Sequence, residues 1–166
     1  MNAIYDIPKN ATDTEAMWLL IDQVSRLMNR LQERELLRIG ATPEKVTTLQ
    51  LIHDLGEDAI TAEIARYLCR KDQSITGMLN RMEQEGLVKR APKHRGQPYT
   101  ALALTDKGEE MRKKGQKVLS GLTKPMSAWA RKEVINGLIG MRGGLTSMLH
   151  LDVLEPKSRS LSARED

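Results

Sequence analysis

The chain has 166 residues, 40% of them hydrophobic and 29% charged, with a formal net charge of +4. That is enough to bury one ordinary core, and the mild basic lean permits a polyanionic partner without requiring one. Aromatic residues make up only 3% and phenylalanine is absent, so a core has to come from Leu, Ile, Val, Met and Ala, which favours helices over a β-sandwich.

A leader over residues 1–11 has no apolar core segment of the kind a secretory signal needs. Thr12 and Glu15 then have the spacing of a capping box, and Met17, Leu20, Ile21, Val24, Leu27, Met28 and Leu31 follow at helical intervals, predicting a long amphipathic helix that ends near Gly40. Thr42 at an N-cap and Pro43 behind it launch a second helix that places Val46, Leu49, Ile52 and Leu55 before Gly56. Thr61 is expected to cap a third, short helix with Ile64, Ala65 and Leu68 turned inward, and Asp72 a fourth; two short helices across a tight turn make a helix-turn-helix candidate. In the fourth, Ile75, Met78, Leu79 and Met82 keep the apolar spacing and Gly86 supplies a left-handed C-terminal cap, which leaves Gln73, Thr76, Gly77, Asn80 and Gln84 on the opposite face.

Two strands are predicted next, "LVKRAP" and "YTALALT", around "KHRGQP", whose Gly and Pro mark a hairpin loop. Alternation sends Thr100, Leu102 and Leu104 to one side and Ala101 and Ala103 to the other. Thr105 and Asp106 open a charged helix through Met111, Val118 and Leu122 that breaks around Pro125; a last helix covers 127–149, and the tail 151–166 reads as disordered. The longest apolar runs, such as "AMWLLI", are too short to span a bilayer, and a lone Cys69 cannot form an intrachain disulfide, so a reducing cytoplasm is the expected setting.

A helix face of Gln, Thr, Gly and Asn suits a DNA major groove, because such groups can hydrogen-bond base edges and phosphates while Gly lets the backbone come close. Gly77 inside a helix costs about 1 kcal/mol relative to Ala, which asks either for a compensating use or for plain tolerance. A solvated polar face is the competing reading. Charge favours the first: residues 66–105 carry eight basic side chains against three acidic ones, a local excess larger than that of the whole chain, and concentration is what matters for counterion release at phosphates.

"ITAEIARYLCRKDQSITGMLNRMEQEGLVKRAP", closing in "LALTDKGEEM", resembles the winged helix-turn-helix of the MarR family of bacterial transcriptional regulators, and the resemblance runs over roughly residues 14–149. It implies a mainly α fold: a winged helix-turn-helix with a small β-hairpin wing and long N- and C-terminal dimerisation helices. It implies an N-terminal dimerisation helix at 12–40, a DNA-binding region at 41–105, and C-terminal dimerisation helices at 106–150. Gln73, Ser74, Thr76, Gly77, Asn80 and Arg81 would then lie near bases or phosphates in the major groove, with Asn80 reading bases. Arg90, Lys93 and Arg95 would serve the wing, with Arg95 on phosphate. The family's wing usually carries Asp-x-Arg, whereas the corresponding positions here are Gly96 and Pro98; Lys93, His94 and Arg95 sit just before them and could supply charge from another register.

His53, His94 and His150 fall on separate predicted elements, and neither they nor Cys69 have metal-ligand spacing; Cys69 is expected to be a small packed thiol. Trp18, Trp129 and the methionines are expected to fill the core or a subunit interface. No glycine-rich phosphate loop, nucleophile elbow or histidine with an evident carboxylate partner is present, so no cofactor and no enzyme activity are expected. The expected function is sequence-specific transcriptional regulation, with repression as the default mode, by a homodimer on inverted-repeat double-stranded DNA, released by a small aromatic acid or phenol that binds between the dimerisation helices and the winged helix. The alternative is a winged-helix protein-interaction module without DNA binding, for which the absent Asp-x-Arg speaks.

Overall fold

The structure is a computed structural model and describes residues 7–8, 10–91, 101–124 and 127–149. It divides into two compact units, Met1–Leu122 and Thr123–Asp166. In the first, helices α1 (Asp13–Leu37), α2 (Pro43–Leu55), α3 (Thr61–Tyr67) and α4 (Asp72–Gln84) precede strands β1 (Val88–Arg90) and β2 (Leu102–Leu104), and α5 (Asp106–Leu122) closes the unit. The second contains α6 (Ala128–Met148). This is the mainly α architecture with a small antiparallel hairpin that the sequence predicts. The predicted tail 151–166 and most of the hairpin loop lie outside the described residues.

Local chemistry sets most boundaries. The Thr12 hydroxyl accepts from the Glu15 amide while the Glu15 carboxylate accepts from the Thr12 amide, so both halves of the capping box form. Thr42 caps α2 with Pro43 in its first turn, and Gly40, Gly56 and Gly86 all hold positive φ where helices stop. Two expected caps are not made. α3 begins after Ile60 and α4 after Lys71, neither with a side-chain cap bond, so Thr61 and Asp72 are first-turn residues rather than caps. Thr76 Oγ1 instead donates to the Asp72 carbonyl at 2.9 Å.

The turn between α3 and α4 corrects the reading of Cys69. Its φ is +50°, and the Arg70 amide reaches back to the Ala65 carbonyl at 2.9 Å, the long bond of a Schellman turn, in which Cys69 takes the left-handed position usually held by glycine. That position points the side chain outward, so the thiol is exposed rather than packed.

The core sits between α2, α3, α4 and the hairpin. Leu49, Ile52, Ile64, Ile75, Leu79, Met82, Leu87 and Leu102 form one cluster, each no more than 3% exposed. Among the described residues the strands cover the middle of the first predicted run and Leu102–Leu104 of the second, pairing Val88 with Leu104, Lys89 with Ala103 and Arg90 with Leu102. Ala101 is buried together with Leu102, so the second strand does not show a plain inside–outside alternation. The Leu102 amide also donates to the Ala59 carbonyl at 2.8 Å, so the strand is bonded on both edges, to β1 and to the turn before α3.

α5 crosses this core at very short range. A Cβ on Gly108 would lie 1.9 Å from the Leu87 carbonyl oxygen, and one on Gly115 would lie 2.5 Å from a Val46 methyl. Thr105 fastens the crossing. Its hydroxyl donates to the Gly86 carbonyl at 2.6 Å and accepts from the Gly108 amide at 3.0 Å, so one side chain caps α5 and ties it to the end of α4. α6 starts from Ser127, whose hydroxyl accepts from the Ala130 amide, and carries no buried residue.

Candidate nucleic-acid interface

The burial of α4 is sharply two-sided. Ile75, Met78, Leu79 and Met82 are at most 5% exposed, whereas Gln73, Ser74, Thr76, Gly77, Asn80 and Arg81 all face solvent. The apolar stripe that holds the helix in the core therefore also fixes which side chains are offered outward. A Cβ at Gly77 would meet nothing within 4 Å, so no internal packing asks for glycine there. Thr76 spends its hydroxyl proton on the Asp72 carbonyl, leaving it a methyl group and an acceptor for anything that approaches.

Positive charge surrounds this face unevenly. Arg70 is paired with Glu44 at 3.3 Å, and Lys45 with Glu85 at 2.6 Å. Lys71, Arg81 and Lys89 are exposed and have no ion-pair partner among the described residues. Arg90 is engaged with α4 itself: Nη2 donates to Asn80 Oδ1 at 3.1 Å, and Nε to Glu83 Oε2 at 3.3 Å. Two residues singled out separately in the sequence, Asn80 and Arg90, are thus neighbours, a contact that lies ten residues apart and has no sequence signature. Lys93 and Arg95, with His94, Gly96 and Pro98, lie outside the described residues.

A second feature adjoins the hairpin. A cavity of about 460 Å³ is lined by Ile52, His53, Glu57, Ala91, Leu102, Leu104, Asp106 and Glu109, so it lies where α5 meets α2 and β2. Of its lining residues, Glu109 belongs to a polar chain that runs on behind the cavity along α2 and α5. Arg112 donates to both carboxylate oxygens of Glu109, at 2.8 and 2.6 Å, and to Gln50 Oε1 at 2.9 Å, while Gln50 donates to Asp54 at 2.8 Å. His53 Nδ1 stands 3.6 Å from Glu109 Oε2, so the structure gives His53 the carboxylate neighbour that its sequence surroundings lack. The Arg112 hydrogen bonds hold the Glu109 carboxyl down to about 2, against an ordinary value of 4.5. Among the described residues no three His, Cys, Asp or Glu side chains converge as a metal would need.

The terminal helices expose a different chemistry. On α1, Met17, Trp18, Leu20, Val24, Leu27 and Met28 are 41–50% exposed. On α6, Trp129 and the stripe Val134, Ile135, Leu138 and Ile139 are exposed as well. Neither tryptophan is a core residue. No helix among the described residues is long and apolar enough to cross a membrane.

Comparison with known proteins accords with this geometry. Residues 41–95 match the MarR family, a span that contains α2, the helix-turn-helix and the start of the wing. The fold also matches solved structures. AbsC, a MarR family transcriptional regulator from Streptomyces coelicolor, superposes with a TM-score of 0.72 at 20% identity, over 84% of this chain and 99% of that one. A mutant MarR from E. coli, complexed with operator DNA, gives 0.64 at 22% identity, over 75% and 92%. The transcriptional regulator RdhR in its 2,4-dichlorophenol-bound form gives 0.72 at 18% identity, over 94% and 99%. A search of curated protein sequences found no match.

Proposed function

From a chain whose residues 41–95 are of the MarR family, a family of transcriptional regulators and not of enzymes, we propose a homodimeric, sequence-specific DNA-binding repressor that acts on an inverted repeat. The observation that carries this reading is α4. One face of it is locked into the core and the other offers Gln73, Ser74, Thr76, Gly77, Asn80 and Arg81 to solvent, beside Lys71 and Lys89, which have no ion-pair partner among the described residues. Polar groups on a held helix suit base edges, and free cations suit phosphates. Arg90 adds to the basic surface beside α4, and Lys93 and Arg95 follow it in the sequence, outside the described residues. The exposed apolar stripes of α1 and α6 are the surfaces for the subunit contact, because large apolar side chains at helical spacing stand exposed on each helix among the described residues.

Release by a small molecule belongs to the same reading, and the cavity beside α5 sharpens its class. Its walls are apolar, from Ile52, Ala91, Leu102 and Leu104, but its polar edge carries three carboxylates, Glu57, Asp106 and Glu109, beside one imidazole, His53. A carboxylate ligand would face like charges there, so a neutral phenol fits better than an aromatic acid. To matter, the ligand has to favour one arrangement of the recognition helices over another; a tenfold loss of operator affinity needs about 1.4 kcal/mol of such preference.

The experiment is selection of bound fragments from genomic DNA, followed by titration of the recovered site at several salt concentrations. A palindromic site whose affinity falls steeply with salt is the expected result. Absence of any DNA retained at low salt, with a stably folded protein, would favour the alternative of a protein-interaction module, which the replacement of Asp-x-Arg by Gly96 and Pro98 keeps in view.

A further inference from the structure

Asn80 is the residue of α4 whose side chain looks best suited to reading a base, since an asparagine can grip adenine with its carbonyl oxygen and its amide nitrogen together. Its surroundings give it other work. Arginine has donors and no acceptor, so the Asn80 atom 3.1 Å from Arg90 Nη2 has to be the carbonyl oxygen. One half of the bidentate grip is therefore already engaged inside the chain. Glu83, one helical turn further along α4, takes Arg90 Nε at 3.3 Å. The two contacts hold one edge of a planar guanidinium and leave the remaining N–H groups on a side chain that is 47% exposed.

We propose that Asn80 is a positioning residue: with Glu83 it orients Arg90, and Arg90 contacts a phosphodiester of the DNA backbone. Charge explains why a neutral amide suits the position. Glu83 alone balances the guanidinium; a second carboxylate in place of Asn80 would leave the cluster net negative and repel the phosphate that Arg90 is to meet. The role departs from the sequence expectation, in which Asn80 selects bases. It rests on the DNA-binding reading above, and the two stand or fall by different measurements.

The test compares the full-length protein with Asn80→Ala, Asn80→Asp, Arg90→Ala and the Asn80→Ala/Arg90→Ala double variant. Each is titrated against the selected site and against unrelated DNA of equal length at several salt concentrations. Its base preference is then profiled on a library randomised across the site. Because both contacts are solvent-exposed, Asn80→Ala should weaken binding about two- to fivefold on every sequence, with an unchanged base profile. Arg90→Ala should lower the salt slope by about 1, and the double variant should be no weaker than Arg90→Ala alone. Asn80→Asp should lose more affinity than Asn80→Ala. A base preference altered at one or two positions by Asn80→Ala, or additive losses in the double variant, overturns the positioning role while leaving DNA binding intact. Failure of the unmodified protein to bind any DNA overturns the DNA-binding reading and this role with it.

Discussion

Ile75, Met78, Leu79 and Met82 on α4 and Val134, Ile135, Leu138 and Ile139 on α6 are both apolar sets at helical intervals, yet the first four are 0–5% exposed and the second four 48–55%. The same kind of pattern has been completed within one chain in the first case and left open in the second. α4 meets α3, the hairpin and the Thr105 joint, so its stripe is consumed by a core that also aims its polar face. α6 has no buried residue, and α1 buries only Leu36. Helical periodicity identifies a surface that wants cover; it says nothing about whether the cover belongs to the same chain.

The sharpest way to break the closed region is Gly108→Ala. With a carbonyl oxygen 1.9 Å from the new Cβ, either α5 or the Leu87 turn has to move, and the loss should be about 3 kcal/mol or more, read as a lowered denaturant midpoint. Little change would mean that α5 can shift freely, and that the closed region is looser than its contacts imply.

The open region is tested by Leu138→Glu. A charge in the middle of the α6 stripe should convert the proposed dimer to a monomer in sedimentation at micromolar concentration and lower affinity for the selected DNA site at least about tenfold. The unfolding midpoint of the α2–α5 core should change little. A dimer of unchanged mass would show that the α6 stripe is not the subunit contact.

Gly77→Ala separates the two demands placed on α4. Its Cβ meets nothing in the chain, so the substitution should stabilise the helix by up to about 1 kcal/mol, while DNA affinity falls because the backbone can no longer come as close to the groove. Unchanged affinity with raised stability would assign Gly77 to simple tolerance.

The smallest expected effect concerns acid. Since Glu109 is held down to about 2, chiefly by the Arg112 hydrogen bonds, the stability it contributes is fully present above its ordinary value of 4.5 and disappears as pH falls through about 2. Glu109→Gln should therefore flatten the acid side of the stability profile between those limits. The change should amount to less than about 1 kcal/mol, because the carboxylate is partly solvated. A wild-type profile already flat over that window would contradict the pairing.

Much of the closed region was legible because its signals are local. Thr12 with Glu15, Thr42 with Pro43, and Gly86 after Met82 each act within one helical turn, and all three appear as the spacing predicts. Thr61 and Asp72 had equally good spacing but form no cap bonds, because each helix begins one residue earlier, with Ile60 and Lys71 in the cap positions. Contacts between distant residues gave no warning. Arg112 meets Gln50 from 62 positions away, Thr105 meets Gly86 from 19, and the Asn80–Arg90 pair depends on where β1 leaves the turn. For the candidate site, side-chain exposure on α4 followed from its apolar stripe, whereas the partners that tell a base reader from a positioning residue did not.

The left-handed turn at Cys69 places the chain's one thiol on the outside of the helix-turn-helix, where a maleimide or nitroxide can reach it. Native protein, with no engineered cysteine, would take up a single probe per subunit. In a dimer, the pair of probes becomes a ruler. Pulsed electron resonance between them would follow the separation of the two DNA-binding units directly, free in solution, on operator, and with a phenol added.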